Sequence, residues 1–152
     1  MKILLPIDGS ELSLHEVRFA LRLVREGLQA SFLLVNVQEP DSLYEVVTWP
    51  DPDVRAQGSR AAGEDALQPA VALLREAGIA CETEVVSGDP AHAVVDLIEE
   101  HGCDMVIMGT RGTGALLSVL QGSVTQSLMH DSPVPVLLVK PPQEPQAPGE
   151  PA

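Results

Sequence analysis

The chain has 152 residues, of which 45 % are hydrophobic and only 3 % are aromatic, and its formal net charge is −13. The length fits one domain, and the negative charge argues against nucleic acids and anionic membrane surfaces as partners, because binding phosphate groups requires positive charge. The apolar run at the N-terminus is too short for a signal peptide, and no run is long enough to span a membrane, so we expect a cytoplasmic protein.

The first half of the chain alternates predicted strands and helices. Lys2–Ile7 and Ser31–Val37 are mostly apolar runs of strand length, so both are predicted to be buried strands. Between them, Glu11–Leu28 carries apolar residues at intervals of three and four, which predicts an amphipathic helix. The segment Asp41–Asp53 is rich in proline and acidic residues and predicts a loop, and Val54–Ala77 predicts a second helix.

The second half of the chain continues this alternation. Three further apolar runs predict strands at Ala80–Val86, Asp104–Met108 and Val134–Val139. Between the first two of these strands, Asp89 as N-cap and Pro90 at the first helical position predict the start of a helix that ends at Gly102. A final short helix is predicted after Gly122.

Apolar strands that alternate with amphipathic helices indicate an α/β domain. Each such strand needs cover on both sides, so we expect a doubly wound, five-stranded parallel sheet with helices on both faces. The domain is expected to span residues 1–140. Residues 141–152 contain five prolines and no large apolar side chain, so we expect a disordered, proline-rich tail there.

A glycine-rich stretch follows the fourth predicted strand. Ligands of parallel sheets bind beyond the carboxyl ends of the strands, and Gly109 and Gly112 would let backbone N–H groups approach a phosphate closely. Arg111 is the only Lys or Arg within residues 76–139. Gly122–Thr125 is expected to open a helix and to form a second anion site at its N-terminus. The spacing G-x2-G-x9-G-S therefore favours phosphate binding over a glycine-rich loop with one solvated arginine.

Four features occur together in this chain: Ile3–Ser10 at the start, Asp104–Gly109 in the fourth strand, the glycine spacing, and Pro133–Val139 near the end. In this combination the chain resembles the universal stress protein family over Met1–Lys140, and the complete glycine pattern is that of the family's ATP-binding branch. The resemblance implies a three-layer sandwich of the adenine-nucleotide α-hydrolase-like or flavodoxin-like type, with strand order 3-2-1-4-5. It also implies a homodimer joined through the fifth strand, Val134–Val139.

The resemblance further implies a site for ATP, ADP or AMP together with Mg²⁺. The site residues would be Pro6, Ile7, Asp8, Val37, Met108, Gly109, Arg111, Gly112, Gly122, Ser123, Val124 and Thr125. Ile7 and Val37 would border the adenine, and Asp8 would lie near the ribose, the phosphates or the metal ion. A carboxylate at the carboxyl end of a strand suits Mg²⁺, but Asp8 could instead serve only as a cap for the first helix.

Three functions are compatible with the sequence. The first is an ATP-binding sensor or regulator of the stress response without efficient turnover, since no general base or other catalytic residue is evident. The second is a dimeric interaction module that binds no nucleotide, and the third is a slow ATPase on the same fold. Tyr44 and Trp49, in the predicted acidic loop, would either line the mouth of the nucleotide site or cover the edge of the core.

Overall fold

Strands and helices alternate along the described part of the chain. The computed structural model describes residues 1–110 and 117–141, with the backbone alone over 117–123. The elements are β1 Lys2–Pro6, α1 Glu11–Arg25, β2 Ser31–Gln38, α2 Leu43–Thr48, α3 Pro52–Glu76, β3 Cys81–Ser87, α4 Pro90–His101, β4 Met105–Gly109, α5 Leu117–Asp131 and β5 Val136–Val139. Among the described residues, no helix combines the length and the apolar content that crossing a bilayer requires.

The five strands form one parallel sheet in the order β3-β2-β1-β4-β5, which confirms the expected topology. The register of β1 and β2 places Pro6 beside Val35, and the register of β4 and β5 places Gly109 beside Val139. The direction of winding reverses between β1 and β4. From β1 the chain adds β2 and β3 on one side of the sheet, and it then adds β4 and β5 on the other side. The carboxyl ends of β1 and β4 therefore flank the crevice in which doubly wound sheets bind ligands.

Helices cover both faces of the sheet, and successive residues of β1 point to opposite faces. Leu5 belongs to the buried cluster under α1 and α3, together with Phe32 and Leu74. Leu4 belongs to the buried cluster under α4 and α5, together with Leu33. Burial of one such side chain contributes roughly 1.5–3 kcal/mol to stability, so this double core holds the strand ends firmly in place.

The segment Asp41–Asp53 was predicted to be a loop, but it contains the short helix α2. Ser42 and Glu45 form a capping box there: Ser42 Oγ accepts a hydrogen bond from the Glu45 backbone N–H at 3.2 Å, and Glu45 Oε2 accepts one from the Ser42 N–H at 2.7 Å. Asp51 then caps α3, which begins at Pro52, slightly earlier than predicted.

The prediction of a helix that opens at Gly122 is wrong. α5 already begins at Leu117, so Gly122 lies in its second turn. A single glycine inside a helix costs only about 1 kcal/mol relative to alanine, which is too little to set the helix start. The backbone N–H groups of Gly122 and Ser123 consequently face carbonyl groups four residues earlier and do not form the N-terminal anion site that the sequence suggested.

Candidate functional site

A cleft lies beyond the carboxyl ends of β1, β2 and β4, where the strand order reverses. The described residues that line it are Pro6, Ile7, Asp8, Ser13, Glu16, Val35, Asn36, Val37, Glu39, Pro90, Val94, Met108, Gly109, Thr110, Val124, Thr125 and Leu128. Apolar side chains such as Ile7, Val37 and Met108 share the cleft with the carboxyl groups of Asp8 and Glu39. The cleft can therefore offer both apolar surface and polar contacts to a single ligand.

The fold brings most of the predicted site residues to this cleft. Those that line it are Pro6, Ile7, Asp8, Val37, Met108, Gly109, Val124 and Thr125. Arg111 and Gly112 lie outside the described residues, and Gly122 and Ser123 lie in α5, where only the backbone is described. Contact between any of these residues and a ligand stays a prediction.

Asp8 stabilises the turn between β1 and α1 through hydrogen bonds. Its Oδ1 accepts hydrogen bonds from the Ser10 backbone N–H at 2.9 Å and from the Ser13 hydroxyl at 2.5 Å. Asp8 is also solvent-exposed and lines the cleft, so support of the turn and contact with a ligand are compatible roles. Within the described residues, no three His, Cys, Asp or Glu side chains cluster to hold a metal ion. A cation at Asp8 would therefore need further oxygen ligands from water or from phosphate groups.

Asn36 joins the ends of β1 and β2 behind the cleft. It is buried, its Nδ2 donates a hydrogen bond to the Ile7 carbonyl at 2.8 Å, and its Oδ1 accepts one from Gln38 Nε2 at 2.5 Å. The backbone N–H of Ile7 donates to the Val35 carbonyl at 2.7 Å, which extends the β1–β2 ladder past the last residue of β1. Asn36 is not among the predicted site residues, although it precedes Val37 at the end of its strand and is an amide in a mostly apolar run.

Glu16 is the most unusual side chain of the cleft. It is only 5 % exposed, and its Oε2 is buried without a hydrogen-bond partner among the described residues. Oε1 lies so close to β4 that a Cβ added to Gly109 would be 2.7 Å from it. Burial raises the pKa of Glu16 from 4.5 to about 9; the hydrogen bond to the Gly109 backbone opposes this shift, and the charge of Asp8 adds to it. Glu16 is not among the predicted site residues either.

The two large side chains of the acidic segment match neither expected role. Tyr44 and Trp49 are not among the described residues that line the cleft. They are 77 % and 58 % exposed, and no residue of α2, all of which is described, is buried, so they do not cover the core. Trp49 instead borders a neighbouring depression, which shares Glu39 with the cleft. Arg55 lines this depression too, and its Nη1 donates a hydrogen bond to the Trp49 carbonyl.

Comparison with known proteins places this architecture in a family. The family model described as "Universal stress protein family" matches residues 1–140. The chain belongs to the universal stress protein family. Universal stress protein MJ0531 of Methanocaldococcus jannaschii is 30 % identical to it over 151 residues, covering 94 % of this chain and 84 % of that protein. The solved structure of MJ0577, a universal stress protein of the same organism, has a TM-score of 0.76 and 25 % identity, covering 94 % of this chain and 97 % of that chain.

Some family members of the same fold have been solved with adenine nucleotides. One is a universal stress protein in complex with cAMP, with a TM-score of 0.57 and 24 % identity, covering 91 % of this chain and 95 % of that chain. Another is a family protein from Arabidopsis thaliana with AMP bound, with a TM-score of 0.66 and 19 % identity, covering 92 % of this chain and 91 % of that chain. At these identities the likeness establishes the common fold.

Proposed function

We propose that this protein binds an adenine nucleotide, with ATP as the expected ligand, in the cleft between the carboxyl ends of β1 and β4. One observation carries the proposal: residues predicted from separate parts of the sequence, such as Ile7, Val37, Met108 and Thr125, line one cleft at the reversal point of the sheet. Family members solved with AMP or cAMP support the choice of an adenine nucleotide.

The cleft suits the three parts of a nucleotide. Ile7 and Val37 offer apolar surface for the adenine at the ends of β1 and β2. Gly109 leaves the end of β4 without a side chain on the ribose side, where a Cβ would collide with Glu16. The hydroxyl group of Thr125 and the glycine-rich segment that begins at Gly109 would hold the phosphates. Bound ATP would bring Mg²⁺, for which Asp8 supplies one carboxylate ligand.

We further propose that the bound nucleotide acts as a regulatory signal in the stress response and is not turned over efficiently. The described residues that line the cleft include no histidine, and their buried carboxyl group, Glu16, is held in its neutral form at pH 7, which makes it a poor general base. The protein would work in the cytoplasm, where its free cysteines, Cys81 and Cys103, remain reduced.

A homodimer through β5 forms part of the same proposal. β5 is at one end of the strand order, so one of its edges has no neighbouring strand among the described residues. Val136, Leu137 and Leu138 are only partly buried there. Pairing with a second copy would cover an apolar edge that otherwise favours aggregation.

Calorimetric titration with ATP, ADP, AMP and cAMP, with and without Mg²⁺, tests the nucleotide proposal. The variant Val37→Trp would fill the adenine end of the cleft and should abolish binding. Val47→Trp is the matched control, because Val47 is 71 % exposed on α2 and does not line the cleft. Wild-type protein that binds none of these nucleotides at millimolar concentration, and releases none on denaturation, would overturn the proposal.

A further inference from the structure

Glu16 has a position that neither packing nor helix formation explains. It lies on the face of α1 that contacts β4, and it lines the cleft at the point where the strand order reverses. Leaving a buried polar atom without a hydrogen bond costs roughly 1–3 kcal/mol, yet Oε2 has no partner among the described residues. A 95 % buried carboxyl group with one free oxygen in the wall of a cleft points to a partner that binds there.

The surroundings of Glu16 favour its neutral, protonated form. β4 faces it with the backbone of Gly109, and the turn after β1 contributes Asp8, whose negative charge disfavours a second carboxylate nearby. Glu39, after β2, lines the same cleft and is also acidic. The pKa of Glu16 is raised to about 9, chiefly by burial, so at neutral pH the group carries an O–H that can donate a hydrogen bond.

We propose that Glu16 is a ligand-contacting and specificity-determining residue: its protonated carboxyl group donates a hydrogen bond from Oε2 to a phosphate oxygen of the nucleotide. The inference rests on the proposed function of the cleft. Oε2 is enclosed in the structure, so the carboxyl group must turn about its last side-chain bond to reach a ligand, a torsion with broad energy minima. The neutral form matters, because a charged Glu16 would add to the negative charge of Asp8 and repel the phosphate. A protonated Glu16 instead attracts the phosphate by donating a hydrogen bond to it.

Two substitutions at position 16 separate hydrogen bonding from packing. Glu16→Gln keeps a neutral donor of nearly the same shape, whereas Glu16→Ala removes the donor. Glu99→Gln and Glu99→Ala are matched controls, because Glu99 is exposed on α4 and does not line the cleft. Dissociation constants for AMP and for adenosine are measured by calorimetry at pH 7.5, after thermal unfolding has verified that each variant is folded.

We expect Glu16→Gln to bind AMP within about threefold of wild type, and Glu16→Ala to bind AMP at least about tenfold more weakly, the usual effect of losing a hydrogen bond to a charged group. Adenosine, which has no phosphate, should bind to Glu16→Gln and to Glu16→Ala with the same affinity. Unchanged AMP binding by Glu16→Ala, or equal losses for AMP and adenosine, would overturn the role of Glu16 while the nucleotide site stands. Absence of AMP binding to the wild type would instead overturn the proposed function itself.

The wild-type protein supplies a second test that does not depend on the stability of the alanine variant. The phosphate of AMP is already ionised above pH 7.5. Affinity of the wild type for AMP should therefore stay constant up to about pH 8 and then fall towards tenfold per pH unit as Glu16 loses its proton. Glu16→Gln should show a flat profile over the same range. A wild-type profile that stays flat to pH 10 would contradict the inference.

Discussion

Glu16 and Gly109 are in such close contact that a Cβ on Gly109 would lie 2.7 Å from Oε1 of Glu16. The contact joins α1 to β4 in the wall of the crevice where the strand order reverses. Gly109 therefore has a packing role in addition to its proposed place on the ribose side of the nucleotide, because the carboxyl group of Glu16 packs against it in the wall of the cleft. The two residues are therefore expected to be energetically coupled.

Gly109→Ala should lower the free energy of unfolding by about 1–3 kcal/mol, because the new methyl group must displace the buried carboxyl group of Glu16. In a Glu16→Ala background the same change should cost much less, since the obstacle is gone. Urea unfolding of the wild type, both single variants and the double variant measures the coupling. Equal losses in both backgrounds would show that the contact with Glu16 does not limit position 109.

Glu16 should also make stability depend on pH. Its pKa is about 9 in the folded protein against an ordinary value of 4.5, so between these values the folded state binds more protons than the unfolded state. The free energy of unfolding therefore falls as pH rises through this window, by up to about 1.4 kcal/mol per unit, and the contribution is fully present only below about pH 4.5.

Glu16→Gln should remove this slope, because the amide does not titrate. Urea unfolding at pH 5.5, 7.0 and 8.5 compares the two proteins, with Glu99→Gln as the control for an exposed carboxyl group. The difference in unfolding free energy between wild type and Glu16→Gln should shift in favour of the variant by up to about 4 kcal/mol from the lowest to the highest pH. A constant difference across the series would mean that Glu16 titrates normally.

Two glycines of α3 offer a matched test of how this helix packs. A Cβ at Gly63 would overlap the Val85 side chain and lie 3.0 Å from Asn36 Oδ1, whereas a Cβ at Gly58 would meet nothing within 4 Å. Gly63→Ala should therefore destabilise the protein by about 1–3 kcal/mol. Gly58→Ala should stabilise it by roughly 0.5–1 kcal/mol, since alanine favours the helix. Similar changes in melting temperature for both variants would contradict the described packing of α3 on β2 and β3.

The sequence predicts the sheet well and the helix starts less well, for physical reasons. Apolar runs such as Ser31–Val37 and the alternation of strands and helices carry the topology, because parallel strands need cover on both faces. The predicted start of α5 at Gly122 is wrong, because a helix tolerates one glycine at modest cost and so does not have to begin there. α2 was missed because its capping box was not recognised among prolines and acidic residues.

The candidate site was predicted where it depends on strand ends and missed where it depends on helix packing. Asp8, Val37 and Gly109 lie at or close to the carboxyl ends of strands, so their meeting at one edge of the sheet follows from parallel topology alone. Glu16 could not be predicted in this way, because a glutamate in an amphipathic helix usually faces solvent. Its burial depends on how α1 is rotated against β4, which is tertiary information.

Amide chemical-shift mapping during titration with AMP and with Mg-ATP tests the central claim most directly, since it reports both binding and its location. We predict that the largest shifts occur at Ile7, Val37 and Gly109, at the carboxyl ends of β1, β2 and β4. Residues of the neighbouring depression that do not line the cleft, such as Arg55 and Gly58, should stay unchanged. An unchanged spectrum at millimolar nucleotide, or shifts confined to that depression, would contradict a nucleotide site between β1 and β4.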